Sequence, residues 1–202
     1  MTLAVSVVVP TYQRPYLLRR CLRALLAQAF DPAAYEIIVA DDAASTATRQ
    51  LVQSFATKKG EQAERPCLRY LPNPGPHHGP AAARNCGWQA ANAPIIAFTD
   101  DDCIPHPDWL RCALAAFTPE IVGVSGRVIV PLPEEPTDYE RDAAGIQGMQ
   151  FLTANCFYRR PALTAVGGFD EEFALAWRED SDLFFALLQH YDGDERFVHA
   201  PD

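Results

Sequence analysis

Three consecutive carboxylates, Asp100, Asp101 and Asp102, stand directly after the apolar stretch Ile95-Ile-Ala-Phe98. An apolar run of that length reads as a strand, and in an open α/β sheet ligands bind in the crevice outside the C-terminal ends of the strands. With the chain extended, Asp100 and Asp102 point the same way and offer oxygen ligands for a hard cation such as Mg2+ or Mn2+. Three like charges side by side cost stability unless a cation or hydrogen-bond donors offset them. The alternative is a solvated turn whose aspartates cap a helix beginning near Pro107. An EF-hand is excluded, because the sixth position counted from Asp100 is Pro105 where Gly is needed and the twelfth is Arg111 where Glu is needed.

Asp41-Asp42 closes a second strand-like run, Glu36-Ile-Ile-Val-Ala40, and its loop leads through Ser45 into a helical pattern. Carboxylates there can accept from a base N–H or from ribose hydroxyls, or they can cap the helix that follows. Gly79-Pro-Ala-Ala-Ala-Arg-Asn-Cys-Gly87 opens a helix with small residues that permit close backbone approach, and it offers Arg84 as a bidentate partner for phosphate or a base carbonyl. Neither a Walker loop nor a G-x-G-x-x-G pattern is present. His77 and His78 precede that helix without a Cys or His partner at zinc spacing. Further on, Glu179, Asp180 and Asp182 fall in the first turn of a helix marked by Leu183, Phe184, Leu187 and Leu188. Acids there favour the helix dipole. Consecutive helical side chains diverge by about 100 degrees, so Glu179 and Asp180 serve different spots: one can act as a base while the other holds loops together.

The elements that position these residues alternate. Val5, Val7, Val8 and Val9, then 36–40, 95–98 and 121–124, are apolar on both faces, as in strands covered on both sides. Between the first two runs, Leu18, Cys21, Leu22, Leu25 and Leu26 keep helical spacing after Pro15; Leu51, Val52 and Phe55 follow Ser45, a candidate N-cap. Strand and helix in alternation predict an α/β fold with a mainly parallel sheet. Residues 71–80 and 130–148 are rich in Pro and Gly and read as loops, the second long enough to close over a ligand or to be a plain surface insertion.

The chain has 202 residues, of which 49% are hydrophobic and 21% charged, so a full core is within reach and disorder is excluded. A single domain is the expectation. Its formal net charge of −9 argues against a nucleic-acid polymer as partner, since such binding needs Lys and Arg to neutralise phosphates. A small anionic ligand remains compatible if a metal carries the positive charge. No apolar run approaches the about 20 residues of a membrane helix, and the first apolar stretch lacks a basic flank or cleavage site. Cys21, Cys67, Cys86, Cys103, Cys112 and Cys156 form no C-x-x-C pair, which fits reduced thiols in a cytoplasmic protein.

Taken in order, Ser6-Val-Val-Val-Pro-Thr-Tyr-Gln-Arg14, Asp41-Asp42, Ala83-Arg-Asn85, Thr99-Asp-Asp-Asp102, Gly167-Gly-Phe-Asp170 and Glu179-Asp180 resemble the motif series of glycosyltransferase family 2, with its GT-A (Rossmann-like) fold. The resemblance covers nearly the whole chain. It implies an inverting transferase that moves a sugar from a nucleotide-diphosphate donor, a UDP-sugar in the first instance, to a hydroxyl of a glycan or lipid-linked acceptor with Mn2+ or Mg2+, as in polysaccharide biosynthesis. Pro10, Thr11 and Arg14 match the first-strand loop bordering the nucleotide, Asp41 the carboxylate that reads the base, and Arg84 a nucleotide contact. Asp100 and Asp102 match the two ends of the D-x-D motif, the first toward ribose and the second on the metal, with Asp101 between them counted on the nucleotide side. Asp180 matches the general base with Glu179 beside it, and Trp177 and Asn155 fall on the acceptor side. Residues 1–100 would then form the nucleotide-binding half and 101–202 the acceptor half of one catalytic domain, with peripheral membrane association supplied by segments outside this chain.

Two positions depart from the pattern. Ala43-Ala44 stands where relatives usually carry Gly after the paired aspartates. Many relatives also place a metal-binding His one strand beyond the catalytic helix; His199 lies early for that role, which implies a domain truncated before it. Two alternatives stay open: a nucleotidyltransferase, against which the glycine-free stretch Pro10-Thr-Tyr-Gln-Arg-Pro15 argues, and a non-catalytic nucleotide- or sugar-binding module.

Overall fold

The computed structural model describes residues 3–55, 65–175 and 177–200. Among the described residues seven strands form one sheet in the order β3-β2-β1-β4-β6-β5-β7. They are β1 Val5–Thr11, β2 Tyr35–Asp41, β3 Cys67–Pro72, β4 Ile95–Phe98, β5 Gly123–Gly126, β6 Cys156–Arg159 and β7 Phe197–Ala200. Only β6 runs against the rest, pairing antiparallel with β4 and β5. The C-terminal ends of β1, β2, β3, β4, β5 and β7 therefore share one rim with the start of β6.

Helices α1 Pro15–Leu25, α2 Thr46–Phe55 and α4 Trp109–Ala115 cover one face, where Val5, Val7 and Val9 meet Leu22, Leu51 and Leu110. Helices α3 Pro80–Gln89, α6 Arg160–Val166 and α7 Glu179–His190 cover the other, where Val8, Ile38, Ile96 and Phe98 meet Trp88, Leu163 and Leu187. The unbroken β-branched runs are explained by this: alternate residues of each strand feed two dry layers. Pro15 occupies the first turn of α1, and the Ser45 hydroxyl accepts the Thr48 amide at 3.4 Å, as the caps require.

The sheet has three strands that the residue pattern does not announce. β3 overlaps the proline-rich stretch expected to be loop, and β6 and β7 are four residues each. The segment 130–148 is not purely loop either: α5, Asp138–Ala144, runs into a short 3-10 turn at Gly145–Gly148. A capping box starts α5, the Thr137 hydroxyl accepting the Glu140 amide while the Glu140 carboxylate accepts the Thr137 amide.

At the end of the sheet opposite the acidic rim, Glu36 is a buried tie. Its carboxylate accepts from the Ser6 hydroxyl at 2.7 Å, the Asn92 amide at 2.8 Å and Arg69 Nη1 at 3.0 Å. Burial alone would raise its pKa, but these donors outweigh it and hold the carboxyl below its ordinary range.

Candidate active site

The three aspartates after β4 divide their work. Asp101 is fully buried and accepts from the Thr11 hydroxyl at 2.6 Å. Arg14 Nη2 lies 2.8 Å from its other oxygen, an ion-pair contact without hydrogen-bond alignment. Desolvation pushes the Asp101 pKa up to about 6 against the pull of Thr11 and Arg14, and its two acidic neighbours add to the rise. Its side chain thus latches the β1–α1 loop, where Gln13 takes a left-handed φ of 53°, onto the end of β4. Pro10 and Thr11 end β1 within that latch, and neither is open to solvent.

Asp100 and Asp102 face outward, and with Cys103 they bring ligand atoms within 4.8 Å of one another. The spacing predicts an extended chain here; instead the backbone turns, the Cys103 amide bonding the Asp100 carbonyl at 3.1 Å. The carboxylates converge all the same. They do not cap α4, whose N-cap is Asp108 with no side-chain cap bond. Two carboxylates suit a hard divalent cation, and Arg14 Nη1 stands 3.4 Å from Asp102. The Cys103 thiol, pushed up to about 12 by burial and then by Asp100 and Asp102, stays protonated unless a metal binds it.

Helix α3 brings Arg84 to the same place. Gly79 begins it at φ 110°, where a Cβ would lie 2.4 Å from the Ala174 carbonyl oxygen, and Gly87 lets α3 settle on Val8 of β1. Asn85 donates to the Phe169 carbonyl at 2.8 Å and accepts its amide at 2.9 Å, so the Gly167-Gly-Phe-Asp170 loop is fastened to α3. Arg84 sends Nη1 to Glu179 at 2.8 Å and Nη2 to Asp100 at 2.7 Å, with its side chain 4% exposed. Burial would lower its pKa, but the two carboxylates outweigh burial and raise it. The sequence offered Arg84 as a phosphate or base partner; here both terminal nitrogens are directed at carboxylates.

Glu179 and Asp180 do separate as helical geometry requires. Glu179 is buried against Arg84, whereas Asp180 is half-buried and its Oδ1 accepts the Ser181 amide at 2.7 Å. Arg178, left-handed at φ 72°, turns the chain into α7 and lays its guanidinium 5.6 Å from the centre of the Trp177 ring, which is 71% exposed.

On the neighbouring strand end, Asp41 is fully buried and accepts from the amides of Ala43 and Ser45 and from the Tyr70 hydroxyl at 3.0 Å. Ala44 sits at φ 49°, the left-handed position that a glycine would fill without strain. Asp42, singled out only as half of a pair, clasps the loop before α3 through the Asn73 amide group, the Gly79 N–H and His78.

Asn155 directly precedes β6. It accepts from the Trp109 indole at 2.8 Å, donates to the Arg127 carbonyl at 2.9 Å, and lines a hollow of about 290 Å³ with His106, Trp109 and Arg127. His199 is not in the acidic cluster; its Nδ1 is 3.0 Å from the Ser125 hydroxyl. Cys103 and Asn85 also belong to the site, and each directly adjoins a residue that the sequence pattern singles out, Asp102 and Arg84.

The family profile described as glycosyl transferase family 2 matches residues 6–175. The chain belongs to glycosyl transferase family 2. Glycosyltransferase AglE of Haloferax volcanii is 29% identical over 175 residues, covering 82% of this chain and 55% of that protein. Validoxylamine A glucosyltransferase of Streptomyces hygroscopicus subsp. limoneus is 29% identical over 223 residues, covering 92% of this chain and 48% of its own length. The chain thus spans about half the length of these relatives. Among solved structures, a mannosyltransferase from Pyrobaculum calidifontis in complex with GDP-Man and Mn2+ superposes over 100% of this chain and 56% of its own, with a TM-score of 0.73 at 22% identity. The fold is therefore GT-A, and the family is one of enzymes. Among the described residues no helix is long and apolar enough to cross a membrane.

Proposed function

We propose that this domain catalyses metal-dependent, inverting transfer of a sugar from a nucleotide-diphosphate donor, a UDP-sugar in the first instance, to a hydroxyl of a glycan or lipid-linked acceptor. The observation that carries the reading is the single cluster in which Asp100 and Asp102 face outward at the end of β4 while Arg84 joins Asp100 to Glu179, the residue before Asp180. A candidate metal site and a candidate base thereby share one rim.

In this reading Asp180 takes the proton of the acceptor hydroxyl as it attacks the anomeric carbon, and single displacement inverts that carbon. Asp102, with Asp100, would hold Mn2+ or Mg2+, which when bound neutralises the departing diphosphate. Thr11 and Arg14 order the loop bordering the nucleotide by holding Asp101. Asp41 shapes the turn against which the base rests. Trp177 presents an exposed ring suited to stacking on an acceptor sugar, and Asn155 shapes the rim beside β6. Residues 1–100 serve the donor and 101–202 the acceptor. GDP-Man with Mn2+ in the Pyrobaculum mannosyltransferase supports a nucleotide-sugar donor and a divalent ion without selecting the base. Six free cysteines fit a cytoplasmic setting, and a lipid-linked acceptor would bring the domain to the membrane face.

Calorimetric titration with UDP, GDP, CDP and dTDP, each with Mn2+ and again with EDTA, tests the reading. Metal-dependent binding of one diphosphate, lost in Asp102→Asn, is expected. Absence of binding by all four would overturn it.

A further inference from the structure

Within the transferase reading on which it rests, we infer that Arg84 is a positioning residue that locks the donor-side acid Asp100 to the helix presenting Asp180, and not a ligand of the nucleotide. Three segments far apart in the chain meet on one guanidinium: the second turn of α3, the loop after β4 and the first residue of α7. Each contact is a charge-assisted bond of 2.7 or 2.8 Å, the short range expected between ions. Arg84 lies with its guanidinium carbon 5.7 Å from the centre of the Phe169 ring, which is set edge-on against Phe98 at 5.2 Å, so the group sits in a dry pocket. For Arg84 to turn toward a nucleotide it would have to abandon Glu179, leaving that buried carboxylate unpaired.

The planar fork makes the arrangement specific. A guanidinium presents donors in fixed directions and can engage two carboxylates at once, whereas an ammonium is a single point charge on a flexible stem. Holding Asp100 by Oδ1 fixes how its remaining oxygen faces the donor. Holding Glu179 fixes the first turn of α7, which follows the left-handed residue Arg178 and carries Asp180 as its second residue. Donor-side and acceptor-side chemistry are thereby set relative to each other through one buried side chain. A displacement of the base of about 1 Å is enough to cost about 100-fold in rate.

The test compares the parent chain with Arg84→Lys, Glu179→Gln and the double variant. Binding of UDP and GDP with Mn2+ is measured calorimetrically, and kcat and KM are measured for hydrolysis of UDP-glucose and GDP-mannose. Each single variant should lower kcat by at least about tenfold while leaving KM and the diphosphate Kd within about threefold, and the double variant should be no slower than the worse single, since the two residues act as one unit. A role in folding alone would lower melting temperature without this split or this non-additivity. If Arg84→Lys does not fold, Glu179→Gln, which keeps the side-chain shape, carries the test, and an unchanged kcat in it overturns the inference. Weakening of diphosphate binding by about tenfold or more in Arg84→Lys but not in Glu179→Gln would make Arg84 a direct ligand and overturn the inference while leaving the transferase reading standing. A parent chain that binds neither diphosphate and hydrolyses neither donor would instead sink the transferase reading and the positioning role together.

Discussion

Gly87→Ala should destabilise the domain, and the same substitution should become stabilising once Val8 is shortened. A Cβ at Gly87 would stand 2.4 Å from Val8 Cγ1 and 3.4 Å from Val8 Cβ and Cγ2. Val8 is fully buried in β1 beside Ile38 and Phe98, and its branched side chain has little rotamer freedom, so α3 itself must lift from the sheet. Overpacking of this kind costs about 1–3 kcal/mol. Alanine in place of a helical glycine returns about 1 kcal/mol of propensity. The net expectation is a loss of up to about 2 kcal/mol, whereas in a Val8→Ala background the clash is gone and Gly87→Ala should gain about 1 kcal/mol. Urea denaturation of the four proteins at constant pH measures the cycle. Additive effects, with Gly87→Ala costing the same in both backgrounds, would refute the claim that α3 is seated on Val8.

Glu36→Gln should cost about 2–3 kcal/mol, the worth of hydrogen bonds to a charged group, with Arg69 recovering part of its loss by hydration. Because the folded-state pKa of Glu36 is lowered below its ordinary 4.5, its contribution is complete above pH 4.5 and is lost as pH falls through that lowered value. The stability gap between parent and variant in urea titrations should therefore close on acidification, and a gap that widens would contradict the assignment. Ala44→Gly should raise stability by up to about 1 kcal/mol by relieving a left-handed alanine, read as a higher melting temperature, with glycine's greater chain entropy setting the ceiling. Thr137→Ala should cost α5 about 1 kcal/mol by removing half of its capping box. Faster hydrogen exchange confined to 138–144, with an unchanged global melt, is the expected signature.

What the sequence disclosed followed from how strongly each signal is imposed. Val5 to Val9 and 36–40 had to be central strands because both faces are apolar, and they are the strands from which the rim is built. β6 and β7 escaped because Cys156-Phe-Tyr-Arg159 and Phe197-Val-His-Ala200 are too short for a period to show. β3 escaped because its last residues, Leu71 and Pro72, open the proline-rich stretch. α5 is legible in principle, since Thr137-Asp-Tyr-Glu140 is a capping-box pattern, but Pro131, Pro133 and Pro136 before it are stronger loop signals. At the site, the divergence of Glu179 from Asp180 follows from helix geometry alone. That Arg84 would be sealed between Asp100 and Glu179 does not, because those partners are 16 and 95 residues away and only the fold brings them together. The departure at Ala44 has a structural cost in its left-handed φ and no loss of the turn, because Asp41 still accepts the amides on either side of it.

The proposed role of Asp180 as the base of an inverting displacement is tested by following hydrolysis of an α-linked nucleotide sugar by nuclear magnetic resonance in the presence of Mn2+, using the donor whose diphosphate binds in calorimetry. The β-anomer of the free sugar should appear first, and Asp180→Asn should abolish its release while binding the diphosphate as the parent does. Initial release of the α-anomer, or an Asp180→Asn variant as active as the parent, would contradict it.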